Sequence, residues 1–354
     1  MNTPAQPWWH PDRMASRRAN LAARSAMTRA LRRWFEDGDF LEVETPALQV
    51  SPGLEPHLMA FATELVGSHP DDRLTLRLHT SPEFTMKKLL VAGLPRIFQL
   101  AHVYRNGERS PTHSPEFTML EWYRVGAGYR DLMDDCIGLT RALCAAAGVG
   151  MLRRGDLTCD PAATWEVLTV QEAFQRHVGI DLLATAPDPA RPDVALLAQA
   201  AEAVGIHAHD GDSWEDLFFR ISLDRIEPHL GMGRPTFLTD YPVSMAALSR
   251  PKPEDGRVAE RFELYACGVE LANAFGELTD AAVQKARFEA DMDLKQALYG
   301  ERYPIDADFL AALDFGLPDC AGIALGFDRL VMLATNAASI DEVLWAPVML
   351  PVQG

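Results

Sequence analysis

Cysteine is scarce in this chain: five thiols in 354 residues (Cys136, Cys144, Cys159, Cys267 and Cys320), odd in number and never in a Cys-x-x-Cys pair. That spacing excludes a disulfide framework and a cysteine zinc site, and it suits reduced thiols. Basic residues are also short, 33 against 50 acids, for a net charge of −17 and a pI near 5.0. Broad electrostatic attraction to nucleic-acid phosphates is thereby excluded, although a local basic cleft is compatible with the count. There is no uninterrupted apolar run long enough to span a membrane, no apolar signal segment in residues 1–13, no repeat and no low-complexity stretch. His177, His207 and His209 lack ligand-like company, so no metal is expected there. The expectation is a soluble, unexported, cytoplasmic protein. What is present is ordinary globular material, 48% hydrophobic and 23% charged, in a chain long enough for one large domain or two to three average ones.

The most informative stretch runs from residue 97 to 124. Residues 97–104 are rich in β-branched and aromatic side chains and read as a strand, a polar loop follows, and residues 116–124 read as a second strand. Alternation puts Phe117, Met119, Glu121 and Tyr123 on one face of the resulting hairpin and Thr118, Leu120 and Trp122 on the other. Glu121 is thus a carboxylate among apolar neighbours, where desolvation is costly unless a cation or donors meet it. Two readings meet that need: an internal salt bridge, or the floor of a pocket for a cationic ligand with the Tyr123 hydroxyl beside the acid.

Ahead of the hairpin, Ala23, Met27, Leu31, Trp34 and Phe35 predict a helix over residues 14–37, with arginines on its other faces and Gly38 as its stop. A short strand over 40–43 then ends at Thr45-Pro46. Ser81-Pro82-Glu83 opens another helix, with a serine cap, a proline in the first turn and an acid near the positive end of the dipole. Residues 125–235 read as helix-rich. Thr169 with Glu172 forms a capping box, 194–204 is an alanine-rich helix, Ser213 starts another, and Pro- and Asp-rich linkers mark an insertion over about 150–235.

A strand over 236–241 and a hairpin over 261–275 follow. With a turn centred on Ala266-Cys267, Glu263 lies directly opposite Glu270, and facing carboxylates repel by up to about 1 kcal/mol. A shared divalent cation, an intervening arginine or a shifted register would each remove the conflict. Parity sets Asn273, Phe275 and Glu277 on a face that Glu270 does not share, so an irregularity near Gly276 is expected. After helices from residue 279 and over 306–315, residues 322–333 read as a strand, a glycine turn and a helix capped by Asp328. Arg329 then sits in the first turn, where a bound anion would offset a cation that opposes the dipole.

These residues resemble a known family. Arg105-Asn106, His113 and residues 115–123 resemble motif 2 of the class II lysyl-tRNA synthetase group, and the ending Leu120-Glu121-Trp122-Tyr123 is most similar to its truncated paralogues, the elongation factor P lysine ligases. The 14–37 helix, the following strand and Pro46 resemble motif 1. Residues 270–277 are close to the family's Glu-Leu-Ala-Asn-Gly-Phe-x-Glu, and 322–333 matches motif 3. The resemblance covers about residues 14–343. It implies an α+β class II aminoacyl-tRNA synthetase catalytic fold, an antiparallel sheet flanked by helices, as a homodimer. The implied activity is that of an ATP-dependent, AMP-forming ligase that activates lysine or (R)-β-lysine and passes it to a lysine side chain of elongation factor P.

The resemblance also implies roles. Arg105 bridges the substrate carboxylate and the α-phosphate. Asn106, Gly107, Glu108, His113, Ser114, Phe117, Leu271, Gly326 and Arg329 surround ATP; Phe117 and Arg329 sandwich adenine, and His113 and Arg329 reach the distal phosphates. Glu263 and Glu270 hold Mg2+. Glu83, with Ser81 and Pro82, meets the α- or β-amine and Asn273 the carboxylate, while Glu121, Tyr123, Phe275 and Glu277 surround the ε-ammonium. Ala324 stands where lysyl-tRNA synthetases have glycine and is expected to favour the β-isomer.

Two departures bear on adenine recognition: Gly107 is inserted before Glu108, and Ser114 replaces the usual asparagine. Residues 1–13 are expected as a tail ahead of a single catalytic domain over 14–354, without an anticodon-binding domain, so tRNA is not the expected acceptor. The alternatives are an ordinary lysyl-tRNA synthetase and a non-catalytic synthetase-like module. Joint retention of Arg105, Glu263, Glu270 and Arg329 weighs against the latter.

Overall fold

The computed structural model describes residues 7–69 and 71–349, so the first part of the expected tail lies outside the described residues. Helix α1 (Pro11–Asp37) starts three residues earlier than expected, because the His10 side chain accepts from the Asp12 amide and Pro11 takes the first helical position. Its buried stripe is Arg17, Leu21, Arg24, Met27, Leu31 and Phe35. Two arginines expected on the outer faces are therefore inside. Arg17 donates to the Leu344 carbonyl, and Arg24 donates to Asp328 and, at 2.8 Å, to the Thr118 hydroxyl.

Eight strands form the main sheet: β1 (Leu41–Glu42), β2 (Arg96–Tyr104), β3 (Glu116–Val125), β4 (Glu166–Thr169), β5 (Thr236–Thr239), β6 (Arg261–Ala266), β7 (Val269–Gly276) and β8 (Cys320–Gly326), in the order β1-β2-β3-β8-β7-β6-β5-β4. The six inner strands pair antiparallel, whereas β1 and β4 run parallel to β2 and β5. The sheet is mixed at its edges rather than wholly antiparallel, and the fold is α+β.

One face carries Phe98, Leu120, Trp122, Ile323 and Leu325, packed with α1, α3 (Tyr129–Ala147) and α9 (Phe327–Thr335). Over part of the other face lie α2 (Glu83–Val91), α7 (Ala281–Tyr299) and α8 (Ala307–Gly316), joined through Phe84, Phe288 and Phe309. The rest of that face walls a cavity. The 150–235 segment builds a satellite core from Phe174, Leu197, Leu217, Phe218 and Ile221 on α4 (Val170–His177), α5 (Val194–Ala203) and α6 (Trp214–Ile221), and also supplies β4 to the sheet edge. The capping box at Thr169 forms as the spacing predicts, and Ser213, expected to start a helix, caps it with a second box through Asp216. Among the described residues no helix is long and apolar enough to cross a membrane.

The β6/β7 hairpin departs from the expected register. Its turn is Cys267-Gly268, one residue later than predicted and with positive φ at both, and the ladder shifts at Leu264/Tyr265. Glu263 therefore faces Asn273, and Glu270 faces Tyr265. A bulge at Leu271 is the consequence: Leu271 and Ala272 are both buried, and Glu270 joins Asn273 and Phe275 on the cavity side. The irregularity exists, but at Leu271 rather than near Gly276.

Candidate active site

A cavity of about 500 Å3 opens on the free face of the sheet. Alternation along β3 brings Phe117, Met119, Glu121 and Tyr123 to its floor, and β8, β7 and β6 add Ala324, Asn273, Phe275 and Glu263. Ser81, Glu83, Glu108, Ser114, Leu271, Glu277 and Gly326 complete the expected residues along its walls.

At one end three carboxylates converge from three elements. Glu121 accepts from the Tyr123 hydroxyl at 2.6 Å and from Ser81 at 2.7 Å. Burial and the nearby Glu83 push its pKa up to about 8, against those two donors. Glu83 and Glu277 are bridged by Lys87, whose ammonium lies 2.5 Å from one and 2.6 Å from the other with no side-chain exposure. Burial also raises Glu277, to about 7, although Lys87 pulls it down. Sequence reasoning missed Lys87. Its signal, an acid four residues earlier on a helix, usually marks only a solvated pair. Ser81 does not cap α2, which starts from Pro82; its hydroxyl accepts from the Glu83 amide at 3.1 Å while donating to Glu121.

At the other end stand the cations. Arg105 lies over the Phe117 ring, 5.3 Å from its centre, and its Nε is buried without a partner. Arg329 donates to the Glu270 carbonyl at 2.8 Å and to His113 Nε2 at 2.6 Å. Since a guanidinium can only donate, Nε2 is the acceptor and Nδ1 carries the proton, facing Ser110 Oγ at 2.6 Å. Burial, then Arg329, lowers the His113 pKa in keeping with that neutral ring. Glu270 is raised, by burial first and then by Glu263, and Glu263 is itself held by Arg261 at 2.6 Å and Tyr265 at 2.7 Å. A third acid, Glu227, is pushed to about 7 by burial and by these two.

Nucleotide and metal fit this end. The orphaned Arg105 donor suits a phosphate or carboxylate oxygen. Two mutually repelling carboxylates suit a hard cation that completes its shell with water and phosphate oxygens. Among the described residues no group of three or more His, Cys, Asp or Glu could hold a metal by itself, so Glu263 and Glu270 would share the ion with the substrate.

Some expected residues lie elsewhere. Pro82 starts α2 and does not line the cavity; Asn106 and Gly107 are exposed, the Asn106 amide donating to the Met59 carbonyl at 2.7 Å. Gly107 takes φ +85°, open to glycine at little cost, and with that turn Glu108 reaches the cavity wall 3.8 Å from Arg105. Asp328 is not a cap. Gly326 caps α9, and Asp328 is buried, accepting from Arg24 and from the Thr118 amide at 2.7 Å. Gly322 was not singled out from the sequence, yet a Cβ there would overlap the Tyr123 ring and Glu277.

A family model described as tRNA synthetases class II (D, K and N) matches residues 6–349. The chain is 43% identical over 330 residues, 92% of its length and 94% of the relative's, to an elongation factor P–(R)-β-lysine ligase of Klebsiella pneumoniae. Proteins of that name from Pectobacterium carotovorum and Yersinia enterocolitica are each 41% identical, covering 95% and 93% of this chain and 96% and 95% of theirs.

Proposed function

The chain belongs to the class II tRNA synthetases of the D, K and N type, and on that premise we propose that it activates (R)-β-lysine, or lysine, as an aminoacyl-adenylate and transfers it to a lysine side chain of elongation factor P. It is an ATP-dependent ligase. The observation that carries the substrate class is Glu121: a buried carboxylate that, among the described residues, meets two hydroxyls and no cation. A substrate ammonium fills that need.

With the distal ammonium between Glu121, Tyr123 and Glu277, Glu83 meets the other amine, and the substrate carboxylate points toward Arg105 and Asn273. A carboxylate oxygen then attacks the α-phosphorus in line, and the bond to the bridging oxygen breaks as pyrophosphate leaves. Arg105 and Arg329 offset the charge that develops, and the neutral His113 orients Arg329 toward the phosphates. Mg2+ held by Glu263 and Glu270 would add to that neutralisation. In the second step the acceptor's lysine, as the free amine, attacks the carbonyl carbon; AMP leaves and the new amide nitrogen loses a proton.

Acceptor and location follow the same reading: elongation factor P rather than tRNA, in the cytoplasm, by a homodimer. Exposed Leu41, Leu48 and Val50, close in sequence to α1, are apolar surface that a second copy would cover.

The deciding experiment incubates purified protein with ATP, magnesium, elongation factor P and either lysine isomer. Mass spectrometry should find one added lysyl group on the acceptor, and pyrophosphate exchange should require the amino acid. Exchange without acceptor modification, together with efficient tRNA charging, would move the protein to the lysyl-tRNA synthetases.

A further inference from the structure

A cation buried behind the amino-acid end of the cavity belongs to the protein. Lys87 sits one turn along α2 from Glu83 and joins it to Glu277, two carboxylates from distant parts of the chain. With Glu121 the cluster holds three carboxylates and one ammonium, and Glu55 adds a fourth acid beside Glu83, so acids outnumber the protein's own cation and buried charge stays unpaired unless the substrate brings ammonium groups.

We propose that Lys87 is a positioning residue that sets the spacing of Glu83 and Glu277, so that the site accepts diamino monocarboxylic acids; the inference rests on the amino-acid site proposed above. By tying Glu83 to Glu277 it holds both side chains in place before substrate arrives and leaves Glu121 as the carboxylate without a cation. The charged and titratable groups around it act together: Glu83 on its own helix, Glu55 from the preceding loop, Glu121 and Tyr123 on β3, Cys320 on β8, and Arg250 behind Glu277. Burial works against the Lys87 ammonium, but Glu277 and Glu83 outweigh it and hold its pKa above the usual lysine range.

The test compares Lys87→Met and Lys87→Arg in amino-acid-dependent pyrophosphate exchange between pH 6 and 9. The Met variant should raise the amino-acid KM at least tenfold at pH 7, leave the KM for ATP within about twofold, and move the midpoint of the KM profile about one pH unit upward, because two acids lose their permanent cation. Arginine should restore the midpoint. A Met variant with an unmoved midpoint would reduce Lys87 to a packing role. Should that variant fail to fold, calorimetry on the wild type in buffers of different ionisation heat decides. Lysine binding at pH 7 should release fewer than two protons, most from Glu121 and the remainder from Glu277, which Lys87 pulls down against burial. Release of two or more would show that Lys87 does not lower Glu277, and the proposal would fall. Absence of amino-acid-dependent exchange in the wild type would instead count against the functional reading, so the two failures stay distinct.

Discussion

Ala324 on β8 faces Glu121 directly across one ladder and Asn273 across the other. Its methyl group is therefore on the cavity floor between the carboxylate proposed for the distal ammonium and the amide proposed for the substrate carboxylate. A methyl there limits where the substrate backbone can rest. Moving the amine by one carbon changes that position, and the β-isomer keeps room that the α-isomer loses.

Replacing Ala324 by Gly should shift preference toward α-lysine. One methyl is worth about 1–3 kcal/mol of discrimination, so the ratio of kcat/KM values for the two isomers should change by tenfold or more without either being excluded. An unchanged ratio would place selectivity elsewhere.

Glu121→Gln keeps the shape and removes the charge. Cutting one partner from a buried charge pair costs about 3–5 kcal/mol, so activation of lysine-like substrates should be lost while the protein stays folded. The check is exchange activity beside a thermal melt; full activity in a folded variant contradicts the role.

The same carboxylate predicts a pH dependence. An ammonium binds the ionised form, and the empty-site pKa is pushed up to about 8, so the amino-acid KM should fall as pH rises from 6 to 8 and level off above it. The folded value lies above the ordinary 4.5, so the folded state holds the extra proton across that window, and this group's contribution to stability declines as pH climbs from about 4.5 to 8. Denaturant titrations at pH 6 and 8, with and without lysine, should show a loss that bound amino acid abolishes.

Glu263→Ala or Glu270→Ala should weaken ATP use far more than amino-acid binding and raise the magnesium concentration needed for half-maximal exchange. Removing the Glu270 carboxylate also takes away the Arg329 ion pair at 3.5 Å, while the bonds of Arg329 to the residue-270 carbonyl and to His113 remain. Magnesium dependence identical to the wild type in both variants would exclude them as ligands.

Gly322→Ala should damage the amino-acid end selectively. Gly322 pairs with Tyr123, and the added methyl collides with that ring and with Glu277. Overpacking of this kind costs about 1–3 kcal/mol. A lowered melting temperature and a raised lysine KM with little change for ATP are expected, and a silent substitution would mean that the ring has room to retreat.

Much of this was legible in the residues alone. Period-two alternation in residues 116–124 specified which of Phe117, Thr118, Met119, Leu120, Glu121, Trp122 and Tyr123 share a face, because a strand leaves no other choice once its limits are known, whereas the packing of the sheet decided which face meets the cavity. The capping box at Thr169 is a set of local hydrogen bonds and needed nothing beyond its neighbours. Tertiary structure decided the rest. The turn at Cys267-Gly268 is positioned by its amides donating to Gly231 and Leu230, more than thirty residues away, and that long-range docking, with the bulge it accompanies, brings Glu270 to the same face as Asn273. Arg24 falls within the apolar spacing of α1, yet only Asp328 and Thr118, brought beside it by folding, explain a buried guanidinium. Lys87 has an acid one turn away like many surface lysines. What makes it a buried clamp is Glu277, delivered from the far end of β7, because charge in a low-dielectric interior is governed by which partners the fold assembles and not by order along the chain.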